Sequence, residues 1–243
     1  MTALGMDQAL VVGASSEVGA AIATAVAPFV DRLVLWGRDA HRLRAAADRC
    51  SLVGDGRTGF GVATRVVDVT DGGAMASGLA ELRANGPIRT VVWAPGLFDW
   101  APADSADPSR WRQLVEVNLT APTVFTAMVV PDLVAAAPAA LIYLGSGADH
   151  VVYPHNAAYV ASKHGLAALA RATYLDVRSH RVKVSVVSPG MVAAGASLTA
   201  PLTPAQQAQL LQPDDVASAI TYILGFPDRG CPTEIRLQPH LLP

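Results

Sequence analysis

The apolar run Ala9-Leu10-Val11-Val12 followed by Gly13-Ala14-Ser15-Ser16-Glu17-Val18-Gly19 decides how the rest of the chain is read. Four apolar residues end abruptly at a glycine. A short polar stretch follows, and the helical pattern of residues 18–26 begins within it. This is a strand, a tight turn and a helix in direct succession. Glycines in such a turn let backbone approach a pyrophosphate, and the helix N-terminus presents unpaired N–H groups to it. Two glycines alone leave an ordinary strand-to-helix turn equally open.

Working outward, short apolar runs alternate with longer helical patterns. Strands are expected at residues 32–36, 65–69, 90–93, 140–144, 183–187 and 234–237. Helices are expected at 43–49, 75–82, 109–134 (bent near Pro122), 157–179 and 214–224. Such alternation predicts an α/β fold: a Rossmann-like, doubly wound, mainly parallel seven-stranded sheet with helices on both faces. No linker or repeat divides the chain, so residues 1–243 are read as one dinucleotide-binding and catalytic domain. The stretch 54–61 reads as a flexible loop. Residues 190–212 lack a period, follow a strand directly, and read as a small substrate lid.

Composition agrees. Of 243 residues 51% are hydrophobic and 16% charged, which suits a parallel sheet buried on both faces. A formal net charge of -2 gives no basic footprint for nucleic acid. The two cysteines, Cys50 and Cys231, form neither a disulfide framework nor a metal-type spacing, and no metal is expected. Residues 1–8 carry no positively charged leader. The apolar stretch 133–144 is too short to span a bilayer and is interrupted by Pro138. A soluble cytoplasmic protein without a membrane partner is the resulting expectation.

The chemistry-bearing stretch is Tyr159-Val160-Ala161-Ser162-Lys163. Spacing i, i+4 puts phenol and ammonium on one helix face. A nearby ammonium favours the phenolate, and so lowers the phenol's pKa toward working pH. Ser146 stands just past the fifth strand and Asn118 in the long helix before it. A hydrolase reading of Ser146 fails because Leu144 breaks the G-x-S-x-G pattern of a nucleophile elbow.

Asn118, Ser146, Tyr159 and Lys163 resemble, position for position, the Asn–Ser–Tyr–Lys tetrad of the short-chain dehydrogenase/reductase family. The resemblance extends over Trp111 to Asn118-Leu119, Leu141 to Ser146, Val187-Ser188-Pro189-Gly190 and Pro213-Asp214-Asp215-Val216-Ala217, nearly the whole chain. It implies hydride transfer between nicotinamide and a carbonyl or carbinol carbon. Tyr159 would be the proton donor and Ser146 the hydrogen-bonding partner of the substrate oxygen. Lys163 would hold ribose hydroxyls, and Asn118 would keep a water that feeds protons to Lys163. The same resemblance assigns Gly13, Ser15, Ser16, Val18, Gly19, Arg38, Asp68, Val69, Gly96, Tyr159, Lys163, Pro189, Gly190 and Val192 to the cofactor. Asp68-Val69 would hold the adenine amino group.

Gly37 stands where a carboxylate would select NAD, and Arg38 follows it. A guanidinium there can pair with a 2′-phosphate, so NADP(H) is the expected cofactor, with Arg42 assisting. The resemblance further implies a homodimer or homotetramer, because members of the family pair their long helices, here those carrying Asn118 and Tyr159, and alanines 157, 161, 167, 168 and 172 permit close packing. The substrate is expected to be a small-molecule carbonyl or alcohol compound, lined by Ala148, Asp149, Val151, Tyr153, His155, Met191 and Val192.

The chain departs from the family at several points. Val12 and Glu17 replace the threonine and middle glycine of the TGxxxGxG turn, with Glu17 expected to face solvent. Trp93-Ala94-Pro95-Gly96 replaces Asn-Asn-Ala-Gly, so that strand end must be held differently. Ala194 replaces a threonine that bonds the nicotinamide amide, leaving backbone near Val192 to do so. These losses keep a second reading in view, a non-catalytic NADP-binding or regulatory protein on the same fold.

Overall fold

In a computed structural model, residues 7–54 and 59–240 are described. Residues 1–6 of the stretch 1–8, read as carrying no leader, and residues 55–58 of the expected loop lie outside them. Seven parallel strands form one sheet in the order β3-β2-β1-β4-β5-β6-β7. They are β1 (Gln8–Val12), β2 (Arg32–Gly37), β3 (Gly61–Val66), β4 (Ile88–Trp93), β5 (Ala139–Leu144), β6 (Val182–Pro189) and β7 (Glu234–Leu237). The order reverses direction between β1 and β4. In open α/β sheets the crevice beyond the strand ends at such a point takes the ligand.

Alternation along the strands sends side chains to two cores. Ala9, Val11, Leu33 and Leu35 face one side, packed by α1 (Glu17–Val26), α2 (Ala40–Gly54) and α8 (Pro213–Gly225). Leu10, Val12, Val34 and Trp36 face the other, packed by α3 (Gly72–Ala84), α5 (Ala121–Ala135) and α6 (Ala157–Val177). Phe125 anchors that second core. It meets the Trp36 ring edge-on at 6.1 Å and the Trp93 ring at 4.7 Å, and all three side chains are fully buried. Burial of each such ring contributes on the order of 2–3 kcal/mol.

Helix starts follow local chemistry. Ser16 caps α1, Asp71 caps α3, and Asp107 with Pro108 opens α4 (Pro108–Val115). The long helix predicted over 109–134 is broken by a π-helical turn at Glu116–Thr120, placing the irregularity before Pro122. Proline lacks the N–H that would continue the ladder, so the turn before it widens. The whole run Pro108–Ala135 is long and apolar enough to cross a membrane, a run that the sequence reading does not single out. Phe125, Val129 and Leu133 on it are fully buried against the sheet, which accounts for that composition.

Two other expectations are corrected. The third strand, predicted at 65–69, ends at Val66, because its last partner is Gly37, where β2 stops. Asp68 and Val69 thus lie past the strand in the turn to α3. Of the alanine face predicted on α6, Ala157, Ala161, Ala168 and Ala172 are exposed, whereas Ala167 is fully buried.

Segment 190–212 holds a 3-10 turn at Gly195–Thr199 and a short α7 (Pro204–Gln207). Its neck is closed by pairing. Ala193 N donates to Leu211 O at 2.7 Å and Leu211 N to Met191 O at 3.1 Å. Its ends are thus held together as in a compact surface loop.

Candidate active site

Gly13 lies at the end of β1 in a left-handed conformation, φ 84°. A Cβ there would sit 2.9 Å from Pro95 N, and one at Gly19 would sit 2.2 Å from Gly13 O. Both glycines are therefore required to bring the β1 turn, α1 and the β4 end into contact. Ser16 Oγ donates to Gly13 O at 2.8 Å and accepts from Gly19 N at 3.0 Å, which fixes the mouth of α1. Val18 lies half-buried just inside α1. Gly37 is equally constrained, since a Cβ on it would sit 2.5 Å from Ser15 Oγ. An acidic side chain at position 37 is incompatible with Ser15 as placed.

At the adenosine end, Arg38 is exposed, and its charge reaches Asp68. Asp68 accepts from Thr70 N at 3.0 Å and Thr70 Oγ1 at 2.8 Å. The Thr70 amide bond is the main cause of its lowered pKa, with Arg38 adding to it. Val69 is buried in the second core. Arg42, expected to assist Arg38, lies against Asp39 at 3.7 Å.

The β4 end, lacking the family's asparagines, is held by Asn118. Its Oδ1 accepts from Leu97 N at 2.7 Å, its Nδ2 donates to Leu97 O at 2.9 Å and also lies 3.1 Å from Ser162 Oγ. The π-helical turn carries Asn118 and aims its amide at this strand end. Gly96 lies open above the site; a Cβ there would be 3.5 Å from Lys163 Nζ and 3.7 Å from Asn118 Oδ1.

Lys163 is 4% exposed, and its Nζ donates to Leu144 O at 3.0 Å. Burial lowers its pKa to about 8, opposed by the charge of Asp149. Nζ lies 5.9 Å from the centre of the Tyr159 ring. The phenol's pKa is raised, first by desolvation and further by Asp149, while hydrogen bonding to Ser146 lowers it. The ammonium expected to favour the phenolate donates instead to the Leu144 carbonyl, and Ser146 is the group opposing burial at Tyr159.

Ser146 heads a short 3-10 turn at Gly147–Asp149. Its Oγ accepts from Ala148 N at 3.2 Å, and its own N–H donates to Asp149 Oδ2 at 3.1 Å. Asp149, expected as a pocket residue, is only 2% exposed. Ser188 Oγ donates to the same carboxylate oxygen at 2.6 Å, and a Cβ on Gly145 would lie 2.3 Å from it. The His150 ring lies against the Asp149 and Glu234 carboxyl groups. Asp149 is thus a buried charge behind Ser146, not a lining group.

The far wall follows β6. Pro189 ends the strand, and Gly190 N donates to Leu237 O at 2.7 Å. Val192 is buried, with its carbonyl accepting from Ala194 N at 2.7 Å. Glu17 is exposed but not merely solvated: its carboxylate accepts from Gly195 N at 2.8 Å.

Phe98 and Trp100 carry no motif and escape the sequence reading. Yet the Phe98 ring stands edge-on to Tyr159, with centres 5.1 Å apart. The only available signal is two large aromatics on a glycine- and proline-bounded loop after β4.

A short chain dehydrogenase family model matches residues 7–206. The chain is 33% identical over 193 residues to galactitol 2-dehydrogenase (L-tagatose-forming) of Cereibacter sphaeroides, covering 78% of this chain and 73% of that one. It is 30% identical over 244 residues to glycine betaine reductase of Emericella nidulans, covering 95% of this chain but spanning only 18% of that protein. Among solved structures, a metagenomic short-chain oxidoreductase in complex with NADP matches with TM-score 0.82 and 28% identity, over 98% of this chain and 99% of that one. With its seven-stranded parallel sheet, this chain belongs to the short-chain dehydrogenase/reductase family of oxidoreductases.

Proposed function

We propose that this protein is an NADP(H)-dependent oxidoreductase acting on a carbonyl compound or the corresponding secondary alcohol, with Tyr159 as its proton donor and acceptor. The observation that carries this reading is the joint placement of Ser146, Tyr159 and buried Lys163 beneath Gly96, beside the crevice where the strand order reverses.

The residues fit a dinucleotide. The Gly13–Gly19 turn leaves no room for a side chain at either glycine and opens onto the N-terminus of α1, which suits a diphosphate. Ser15, Ser16, Val18 and Gly19 would flank the diphosphate, and Arg38 the 2′-phosphate. Asp68 and Val69 would hold the adenine. Gly96, Tyr159, Lys163, Pro189, Gly190 and Val192 would hold the nicotinamide riboside. When bound, the cofactor supplies or accepts hydride.

The chain's own groups handle the oxygen and its proton. Ser146, its rotamer set by the 3-10 turn, donates a hydrogen bond to the substrate oxygen. In reduction Tyr159 gives its phenolic proton to that oxygen as it becomes an alkoxide; in oxidation it takes the proton back. Lys163, with a pKa near 8, exchanges a proton at neutral to mildly alkaline pH. Asn118 secures the β4 end over the site and would keep the water that feeds Lys163. We also infer a dimer or tetramer formed through the exposed alanines of α6.

The test is Tyr159→Phe. It should abolish carbonyl reduction while NADPH binding, read by nicotinamide fluorescence, persists. Activity within a few-fold of wild type would assign the acid elsewhere. Binding without turnover in the wild type as well would favour the regulatory reading.

A further inference from the structure

Aromatic side chains continue outward from Tyr159 along one wall. Phe98 is 40% and Trp100 56% exposed. Their ring centres are 6.5 Å apart at 33°, and Trp100 meets the His155 ring at 5.9 Å. With the Phe98–Tyr159 contact these rings form an unbroken ladder from the phenol to the mouth. Isolated exposed apolar residues are ordinary; a contiguous patch rooted on a reactive group is not.

The ladder is held in place. Ala101 N donates to His155 O at 2.8 Å, tying the loop after β4 to the loop before α6. An Arg110 guanidinium N–H donates to Phe98 O at 3.2 Å and another to Gln113 Oε1 at 2.9 Å, so this cation is engaged by neighbours. His155 adopts the left-handed conformation, φ 61°, which turns the loop so that its ring reaches Trp100. On the loop between Ser146 and α6, Val151 and Tyr153 are also exposed. The Tyr153 hydroxyl lies 3.7 Å from where a Gly147 Cβ would stand, beside Ser146.

We propose that the substrate carries a flat, apolar ring next to its reacting carbonyl, seated on the Phe98–Trp100–His155 ladder. This rests on the reading of Tyr159 as proton donor. A ring placed there stacks on or edges against two or three aromatic faces, each contact adding to simple burial. A polyol would turn several hydroxyls toward the Phe98 ring and the ring faces of Trp100, where only ring-edge groups such as the indole N–H could pair with them. The chain should therefore differ in substrate class from its relative named for galactitol.

The test compares kcat/KM, with NADPH, for 1-phenyl-1,2-propanedione, 2,3-butanedione and L-tagatose. The aryl diketone should exceed butanedione by about tenfold or more, the size expected of one or two ring contacts. In Trp100→Ala that ratio should fall about fivefold, and Trp100→Phe should restore most of it. Equal use of the two diketones, preference for L-tagatose, or a ratio unmoved in Trp100→Ala would overturn the assignment. If no carbonyl is turned over, the hydride-transfer reading itself fails, and the ladder is judged by binding. The aryl diketone should then quench tryptophan fluorescence in wild type and lose that component in Trp100→Phe; an identical response in both would reject the ladder too.

Discussion

Glu17 and Gly195, 178 positions apart in sequence, meet in a 2.8 Å hydrogen bond from the glycine N–H to the carboxylate. It joins the first turn of α1, at the proposed diphosphate site, to segment 190–212 just past its neck. Gly195 is itself left-handed, φ 55°, at the start of the 3-10 turn. The side chain that replaces a family glycine thus has a partner on the proposed lid.

Removing that partner should loosen the lid before it touches the cofactor. In Glu17→Gly, amide exchange over residues 195–199 should quicken about fivefold, the size of one exposed hydrogen bond. NADPH affinity should stay within about twofold, because the carboxylate is turned to Gly195 and not to the diphosphate. Glu17→Gln keeps an acceptor oxygen and should exchange like the wild type. Unchanged exchange in the glycine variant would show that the contact does not hold the segment.

How far the sequence reaches is visible in these same residues. Strand β1 and its turn were legible because a fully buried strand is a continuous apolar run, and because Gly13 and Gly19 sit where no Cβ fits. The Tyr159–Lys163 pair was legible because helical spacing alone puts both on one face. The third strand was misplaced because the apolar run continues through Val69, while hydrogen bonding stops with the partner strand at Gly37. Asp149 and Asn118 were found as residues but not by their contacts. Pairing with Ser188 or Leu97 is a tertiary fact without a local pattern. Phe98 and Trp100 lie on a loop without a period, so only their meeting with Tyr159 and His155 reveals them.

Cofactor choice should favour NADPH, with Arg38 carrying most of the preference. Position 37 cannot hold a carboxylate beside Ser15, and Arg42 lies against Asp39. Arg38 remains as the exposed cation nearest the end of β2, with Asp68 as its acidic neighbour. Charge-assisted hydrogen bonds to phosphate are worth about 1.5–3 kcal/mol, or roughly 10–150-fold in affinity. Arg38→Ala should lose about that factor for NADPH and keep NADH nearly unchanged. Equal losses for both cofactors in kcat/KM would remove Arg38 from this role.

Lys163 should make the fold's stability depend on alkaline pH. The unfolded chain keeps this proton to about 10.5, whereas the folded chain sheds it near 8. Between those values the unfolded state binds more protons, so raising pH favours the folded state. Below 8 both forms are charged and the burial penalty is full; above 10.5 both are neutral and it is gone. Wild type should therefore gain stability relative to Lys163→Met as pH rises from 8 toward 10.5. Denaturation midpoints that run parallel in the two proteins across this window would contradict a buried, depressed lysine.

Asp149 should set the pH at which Tyr159 works. Desolvation is the larger cause at both groups, raising the Tyr159 pKa and lowering that of Lys163; the Asp149 carboxylate adds to the rise at Tyr159 and opposes the fall at Lys163. It is surrounded by the Ser146 amide, the Ser188 hydroxyl and the His150 ring, which also lies against Glu234. Asp149→Asn removes the charge and keeps the shape, so the phenol should lose its proton at lower pH. In reduction, which needs the protonated phenol, the alkaline limb of kcat/KM should move down. In oxidation, which needs the phenolate, the rising limb should move down with it. A stability loss alone would lower the amount of active protein at every pH and leave both limbs where they were. Limbs unmoved in a folded Asp149→Asn protein would confine this carboxylate to holding the Ser146 turn.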